Sequence, residues 1–184
     1  MLAAARHAMH DITRGLGLGL IGGIAGLFAM RFAQRVVSPF VKDRAPKPME
    51  IFATERSMSL VGPQHGIDEA ANEALARIAY EKLLRREPSE VAKRRLAWLL
   101  HAGYGMVAAA IFGALRRSGR HAIRAGAVFG TALWLFGDEL AIPLFGLSDK
   151  PTVYHPTRHL QSLVAHLGYG IATAATTRAL RDMT

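Results

Sequence analysis

Residues 99–117 read LLHAGYGMVAAAIFGALRR, and residues 164–182 read VAHLGYGIATAATTRALRD. Both carry the same signature, His-x-Gly-Tyr-Gly, at His101–Gly105 and at His166–Gly170. Each is a run of about the 20 residues that a helix needs to cross the hydrocarbon of a bilayer. Each places one imidazole near its start and basic residues at its end. Working outward, two more stretches reach that length, so the spans expected are 15–37, 96–115, 125–147 and 160–180. The fold class expected is all-α: a polytopic membrane protein with four transmembrane helices, arranged as two duplicated hairpins. The first hairpin would run from span one to span two and the second from span three to span four, related by an axis along the membrane normal.

Composition supports the membrane class. The chain has 184 residues, suited to one domain, and 51% are hydrophobic against 20% charged. With no cysteine, thiolate metal sites, disulfides and thiol nucleophiles are excluded. The net charge of +9 would suggest nucleic acid in a water-soluble chain. Here the basic residues flank apolar runs, so contact with anionic lipid headgroups is expected and nucleic acid is not. The loop with Arg116, Arg117, Arg120 and Arg124 has no acid, which places it and both termini on the cytoplasmic side. The N-terminal apolar run is too long for a signal peptide and lacks an Ala-x-Ala site, so it reads as a retained span.

The connection 38–95 contains two breaks, Arg44-Ala-Pro-Lys-Pro48 and Gly62-Pro-Gln-His-Gly66. Between them and the second span the pattern predicts an extramembrane amphipathic helix over about 67–87. Asp68 would cap it, Glu73/Arg77 and Glu81/Arg85 would pair at i,i+4, and Ala71, Leu75, Ile78 or Ala79, and Leu83 would form its apolar stripe. Ser89 would cap the next helix.

Helices in lipid associate by close packing, which small residues permit. Gly15, Gly19 and Gly23 recur every fourth residue, and Gly103, Gly105, Gly168 and Gly170 flank the tyrosines. These glycines mark helix packing within the chain or in a homo-oligomer. Gly17, Gly19 and Gly22 match a dinucleotide fingerprint, but no strand precedes them, so that reading fails.

Ionisable groups inside spans carry the functional argument. A charge at the centre of a membrane helix costs about 2.5–3.5 kcal/mol on insertion scales. Arg31, His101, Asp138, Glu139 and His166 all fall in one half of the membrane when neighbouring helices are antiparallel. They are expected to converge into a buried polar cluster, with Arg31 facing Asp138 or Glu139. Such a cluster could hold the bundle in register. It could instead handle protons or a divalent cation. His101 and His166 could also serve as axial ligands of haem b, with Gly105 making room for a porphyrin. His155 and His159 form a secondary pair at the start of the fourth span. No nucleophile–base–acid set or phosphate loop appears, and no enzyme is expected.

Several blocks then align with a known pattern: Arg44-Ala-Pro-Lys-Pro-Met-Glu-Ile-Phe52, the His101 span, Pro143-Leu-Phe-Gly-Leu147, Ala165-His166-Leu167 and the basic tail. In these the chain resembles the YagU-like family of small bacterial inner-membrane proteins. The resemblance implies a helical, multi-pass protein of the bacterial inner membrane with a link to acid tolerance, and it supplies no catalytic residues. Helix 67–87 has no counterpart in it and leaves a partner-binding role open. The function expected is an accessory or scaffold subunit of a larger membrane assembly; the alternatives are a proton- or cation-handling transporter or sensor, and a haem-binding membrane protein.

Overall fold

A computed structural model describes residues 2–40, 56–67, 69–116 and 121–183. Among them, every regular element is helical. Helix α1 is Leu2–Val37, followed by a 3-10 turn at Ser38–Phe40. Helix α2 is Ala71–Leu84 and α3 is Glu90–Leu115. Helix α4 is Ala122–Leu144, with a π-helical stretch at Trp134–Ala141. Helix α5 is Pro156–Met183.

Among the described residues, three helices are long and apolar enough to cross a membrane: Met9–Phe40, Glu90–Leu115 and Ala122–Leu144. The fourth expected span, 160–180, is not among them. Helix α5 has the length, but Gln161, Ser162, His166, Thr173, Thr176 and Thr177 dilute its apolar run. Its buried face explains the dilution. Ala165, His166, Tyr169, Gly170, Thr173, Ala174 and Thr177 are all buried, so this helix meets protein where a lone span would meet lipid.

The chain divides into two compact units. The first contains α1, residues 104–115 of α3, residues 122–133 of α4 and residues 160–183 of α5. Glycines decide its packing. A Cβ on Gly15 would lie 2.6 Å from the carbonyl oxygen of Gly113, and one on Gly126 2.5 Å from that of Gly170. One on Gly26 would lie 2.8 Å from the Tyr169 ring. Helix α1 thus rests on α3 and on α5, and α4 rests on α5, at distances that any side chain would block. Met30, Ala109, Ala165 and Tyr169 form the buried centre, with Leu27, Phe129 and Leu133 packed on it. Phe112 stacks on Phe129 at 4.5 Å between centroids. The outward faces carry large apolar side chains, among them Leu20, Ile24, Phe28 (74% exposed), Phe32, Val107, Ile111 and Val128.

The second unit contains α2, the start of α3 and the end of α4 with the segment that follows. Helix α2 is shorter than expected and stops at Leu84 because Arg85 turns left-handed at φ 53°. Its buried residues are Ala74 and Ala76; of the expected apolar stripe, Leu75 and Leu83 are exposed while Ala71, Ile78 and Ala79 are half-buried. Docking runs through ions instead. Glu69 accepts two hydrogen bonds from Arg77 at 3.0 Å and one from the Gly66 N–H at 2.9 Å, and Lys93 lies 3.9 Å away. Arg77 therefore pairs with Glu69, and with Glu81 at 3.5 Å, where the sequence suggested Glu73. The Arg77 hydrogen bonds hold the Glu69 carboxyl below its ordinary pKa, and Glu69 raises that of Arg77. Ser89 caps α3 as expected, its Oγ accepting the Ala92 N–H at 3.3 Å. The Asp68 cap, Arg117, Arg120 and the block from Arg44 to Phe52 lie outside the described residues.

Candidate functional site

The second unit gathers its polar groups around the π-helical end of α4. Pro143 has no N–H to give the carbonyl of residue 139, and its ring crowds that carbonyl. Ahead of it, residues Trp134–Ala141 widen into π geometry, a form that often marks functional positions. The helix then closes on a Schellman motif. Gly146, at φ 71°, donates to the Pro143 carbonyl at 3.0 Å, and Leu147 donates to Ile142 at 3.0 Å.

Asp138 and Glu139 lie in the π stretch. Glu139 Oε1 is 2.6 Å from His159 Nδ1, and His159 Nε2 is 3.0 Å from the Pro151 carbonyl. The Glu139 side chain is only 16% exposed. A carbonyl can only accept, so Nε2 carries a hydrogen. The ring thus bridges the Glu139 carboxyl and the Pro151 carbonyl. The ring edge of Tyr154 meets His159, with centroids 6.4 Å apart.

A second polar centre sits in the segment after α4. Asp149 Oδ2 accepts from Arg56 at 2.6 Å, and Oδ1 lies 3.7 Å from His65. The Tyr154 hydroxyl accepts the Asp149 N–H at 3.2 Å. Residues 56–66 are strapped here by backbone bonds from Leu60 to Leu144 (2.9 Å), Gln64 to Gly146 (2.8 Å) and Lys150 to Arg56 (2.8 Å). Sequence reasoning missed Arg56, His65, Asp149 and Tyr154. Their partners are far apart in the chain, and no periodicity announces them. The break at Gly62-Pro-Gln-His-Gly66 was the one available signal.

The expected cluster is placed as follows. Glu139 goes to His159, the secondary histidine, rather than to Arg31. Arg31 is exposed on α1 beside Phe28 and Phe32, a position from which a long side chain snorkels. Asp138 is half-buried. His166 is 7% exposed and donates from Nδ1 to the Ser162 carbonyl at 2.9 Å. His101 is exposed, so only one of the two signature imidazoles is buried. His155 Nδ1 accepts the Thr157 N–H at 3.2 Å, which makes it the cap of α5 with Pro156 in the first turn.

The haem expectation meets a packing obstacle. The flank of Gly105 is filled by Leu27 and by Tyr169, whose hydroxyl donates to the Gly105 carbonyl at 2.5 Å. Gly170 lies against Gly126 and Gly130. These glycines admit helices where a porphyrin was expected. Among the described residues, no three His, Asp or Glu side chains gather to hold a metal ion. Gly15, Gly19, Gly23 and Gly170 lie where a Cβ would come within 3.0 Å of a neighbouring helix, while Gly105 lies in ordinary contact with Leu27 and Tyr169, and Gly168 with Ala29 and Ala33. Gly103 departs from the expectation, because its Cβ position opens on space. No family model, no curated protein and no solved structure matches this chain.

Proposed function

We propose that this chain is a non-enzymatic multi-pass protein of the bacterial inner membrane that serves as an accessory or scaffold subunit of a larger membrane assembly. One observation carries the reading. Three apolar helices turn large side chains outward, while inward they close on α5 and on each other backbone to backbone. Apolar faces on this scale suit acyl chains or neighbouring membrane subunits. Arg14 donates to the Arg181 carbonyl at 3.3 Å, which brings the first and last helices together at one end. The acid-free run of Arg116, Arg117, Arg120 and Arg124 in the sequence supports placing both termini in the cytoplasm. The YagU-like resemblance belongs to the same reading.

The test is expression of the full chain followed by an alkaline carbonate wash and mild detergent purification. The protein should remain in the membrane pellet and leave detergent with stable protein partners. Release by carbonate, or a partner-free monomer that conducts protons in liposomes, would overturn the scaffold reading.

A second reading rests on Glu139 and His159. A half-buried His–Glu hydrogen bond at a π-helical stretch suits a proton-responsive element. Glu139→Gln should then abolish any pH response of the assembly and leave its formation intact; an unchanged response sinks this second reading.

A further inference from the structure

Helix α2 closes on Lys82-Leu83-Leu84-Arg85-Arg86, and all five residues are exposed. Leu83 stands 81% in the open. With 14 residues the helix is too short to cross a bilayer, so burial in a span does not account for its leucines. The helix ends because Arg85 turns left-handed, at a position that glycine commonly takes. Among the described residues no acid pairs with Lys82, Arg85 or Arg86. Glu81 is engaged by Arg77 at 3.5 Å and Glu90 by Lys93 at 3.0 Å, and the acid that follows the arginines is the exposed Glu87. The Arg86 guanidinium lies 5.9 Å over the Tyr80 ring. The level of α2 is set by Glu69, which takes Arg77 of α2 at 3.0 Å and lies 3.9 Å from Lys93 of α3. After Lys93 in the chain come the exposed Arg94, Arg95 and Trp98, residue types that mark the headgroup layer at the mouth of a span.

We propose that residues 82–86 are a membrane-surface anchor: Leu83 and Leu84 enter the bilayer interface while Lys82, Arg85 and Arg86 meet the phosphates of anionic phospholipids. The inference deepens the membrane reading above and rests on it. Charge complementarity names the occupant. Residues 82–87 hold three cations and one acid, and acidic headgroups attract such clusters. The two leucines select a lipid surface over a soluble anion, because an apolar side chain gains from the acyl boundary and nothing from free phosphate. Long basic stems can hold their charges at the headgroup level while the leucines go deeper. The tip of α2 thereby gives the chain a contact that depends on the lipid composition of the leaflet.

The chain has no cysteine, so a single one reports on a single place. The full chain carrying Leu83→Cys, labelled with an environment-sensitive fluorophore, is reconstituted into vesicles of phosphatidylglycerol or of phosphatidylcholine. In phosphatidylglycerol the emission should shift to the blue and be quenched by lipids that carry a nitroxide high on the acyl chain. In phosphatidylcholine it should stay near its value in water. Adding Lys82→Gln/Arg85→Gln/Arg86→Gln should abolish the shift, with helix content by circular dichroism unchanged. Salt at about 1 M should shrink the shift without any charge substitution, and it decides alone should the charge variant lose helix. A label that stays wet in phosphatidylglycerol would overturn the proposal. So would equal shifts in the two lipids, the mark of a second copy or another protein as occupant, or a shift indifferent to the charge variant or to salt. Carbonate extraction separates the two failures: a protein that resists it while its label at residue 83 stays wet loses this anchor alone.

Discussion

The two copies of His-x-Gly-Tyr-Gly share sequence and helical form, yet they live in different surroundings. In the second copy His166 is buried, Tyr169 is 1% exposed and Gly168 touches α1. In the first copy His101 is exposed, Tyr104 is 53% exposed and Gly103 opens on space. Gly105 and Gly170 are both buried, but a Cβ on Gly170 would strike the backbone of Gly130 at 2.6 Å, whereas one on Gly105 would meet nothing nearer than 3.5 Å. The difference follows from what surrounds each helix. Helix α5 has α1, α3 and α4 against it in the first unit, so His166, Tyr169 and Gly170 of its signature are buried in protein. Helix α3 turns one face outward, and the same residues there meet whatever solvent the bundle has. A motif of this kind fixes a helix surface; the neighbours decide what the surface does.

Paired substitutions in the two copies probe that contrast. The largest difference is expected at glycine. A Cβ on Gly170 would lie 2.6 Å from the backbone nitrogen of Gly130, so Gly170→Leu should cost about 3 kcal/mol or more by overpacking. Gly103→Leu should change stability by less than about 0.5 kcal/mol. Unfolding in detergent, followed by circular dichroism, reads both. Equal costs would mean that the two copies are packed alike.

Next come the histidines. His166→Ala removes a buried ring and its bond to the Ser162 carbonyl, and should cost about 2 kcal/mol. His101→Ala should cost less than about 0.5 kcal/mol. The tyrosines should differ less. Tyr169→Phe deletes the hydroxyl bond to the Gly105 carbonyl, worth about 1 kcal/mol, while Tyr104→Phe, at a side chain 53% exposed, should cost less. The same detergent unfolding assay, run on both members of each pair, is the measurement.

Acid should sharpen the contrast by the smallest step. Glu69 ties α2 to the start of α3 through Arg77 and Lys93. Its carboxyl is held below the ordinary value of 4.5 by the Arg77 hydrogen bonds. A depressed carboxyl contributes stability that is complete above its unfolded value and is lost as pH falls through the folded one. Below about pH 4.5, hydrogen exchange should therefore quicken in α2 before it does in α5. Glu69→Gln should remove this pH dependence at a cost of about 0.5–1 kcal/mol, in the range of partly exposed ion pairs.

Much of the fold was legible in the chain. Long apolar runs, glycine spacing and the Ser89 cap are local signals, and α1, α3 and α4 appear where they predict helices. Helix α5 was legible as a helix but misread as a span, because its threonines and His166 were weighed against lipid when their neighbours are protein. The candidate site was legible in type only. Asp138 and Glu139 stood out as acids in an apolar run, and Pro143 explains the π geometry that holds them. The partner of Glu139 did not follow, because depth pointed to Arg31 and left His159 at the mouth of the fourth span, and depth is all that a sequence of spans supplies.

Composition and periodicity by themselves thus determined the helical class, the apolar outer faces and the glycine ridges, since each is written in residues within a few turns of one another. Tertiary structure alone decided that α5 is the enclosed helix, that His159 holds Glu139, and that one copy of the repeated signature is buried while its twin is exposed. Those outcomes depend on contacts between residues far apart in the chain, where geometry in three dimensions, and no local preference, selects the partner.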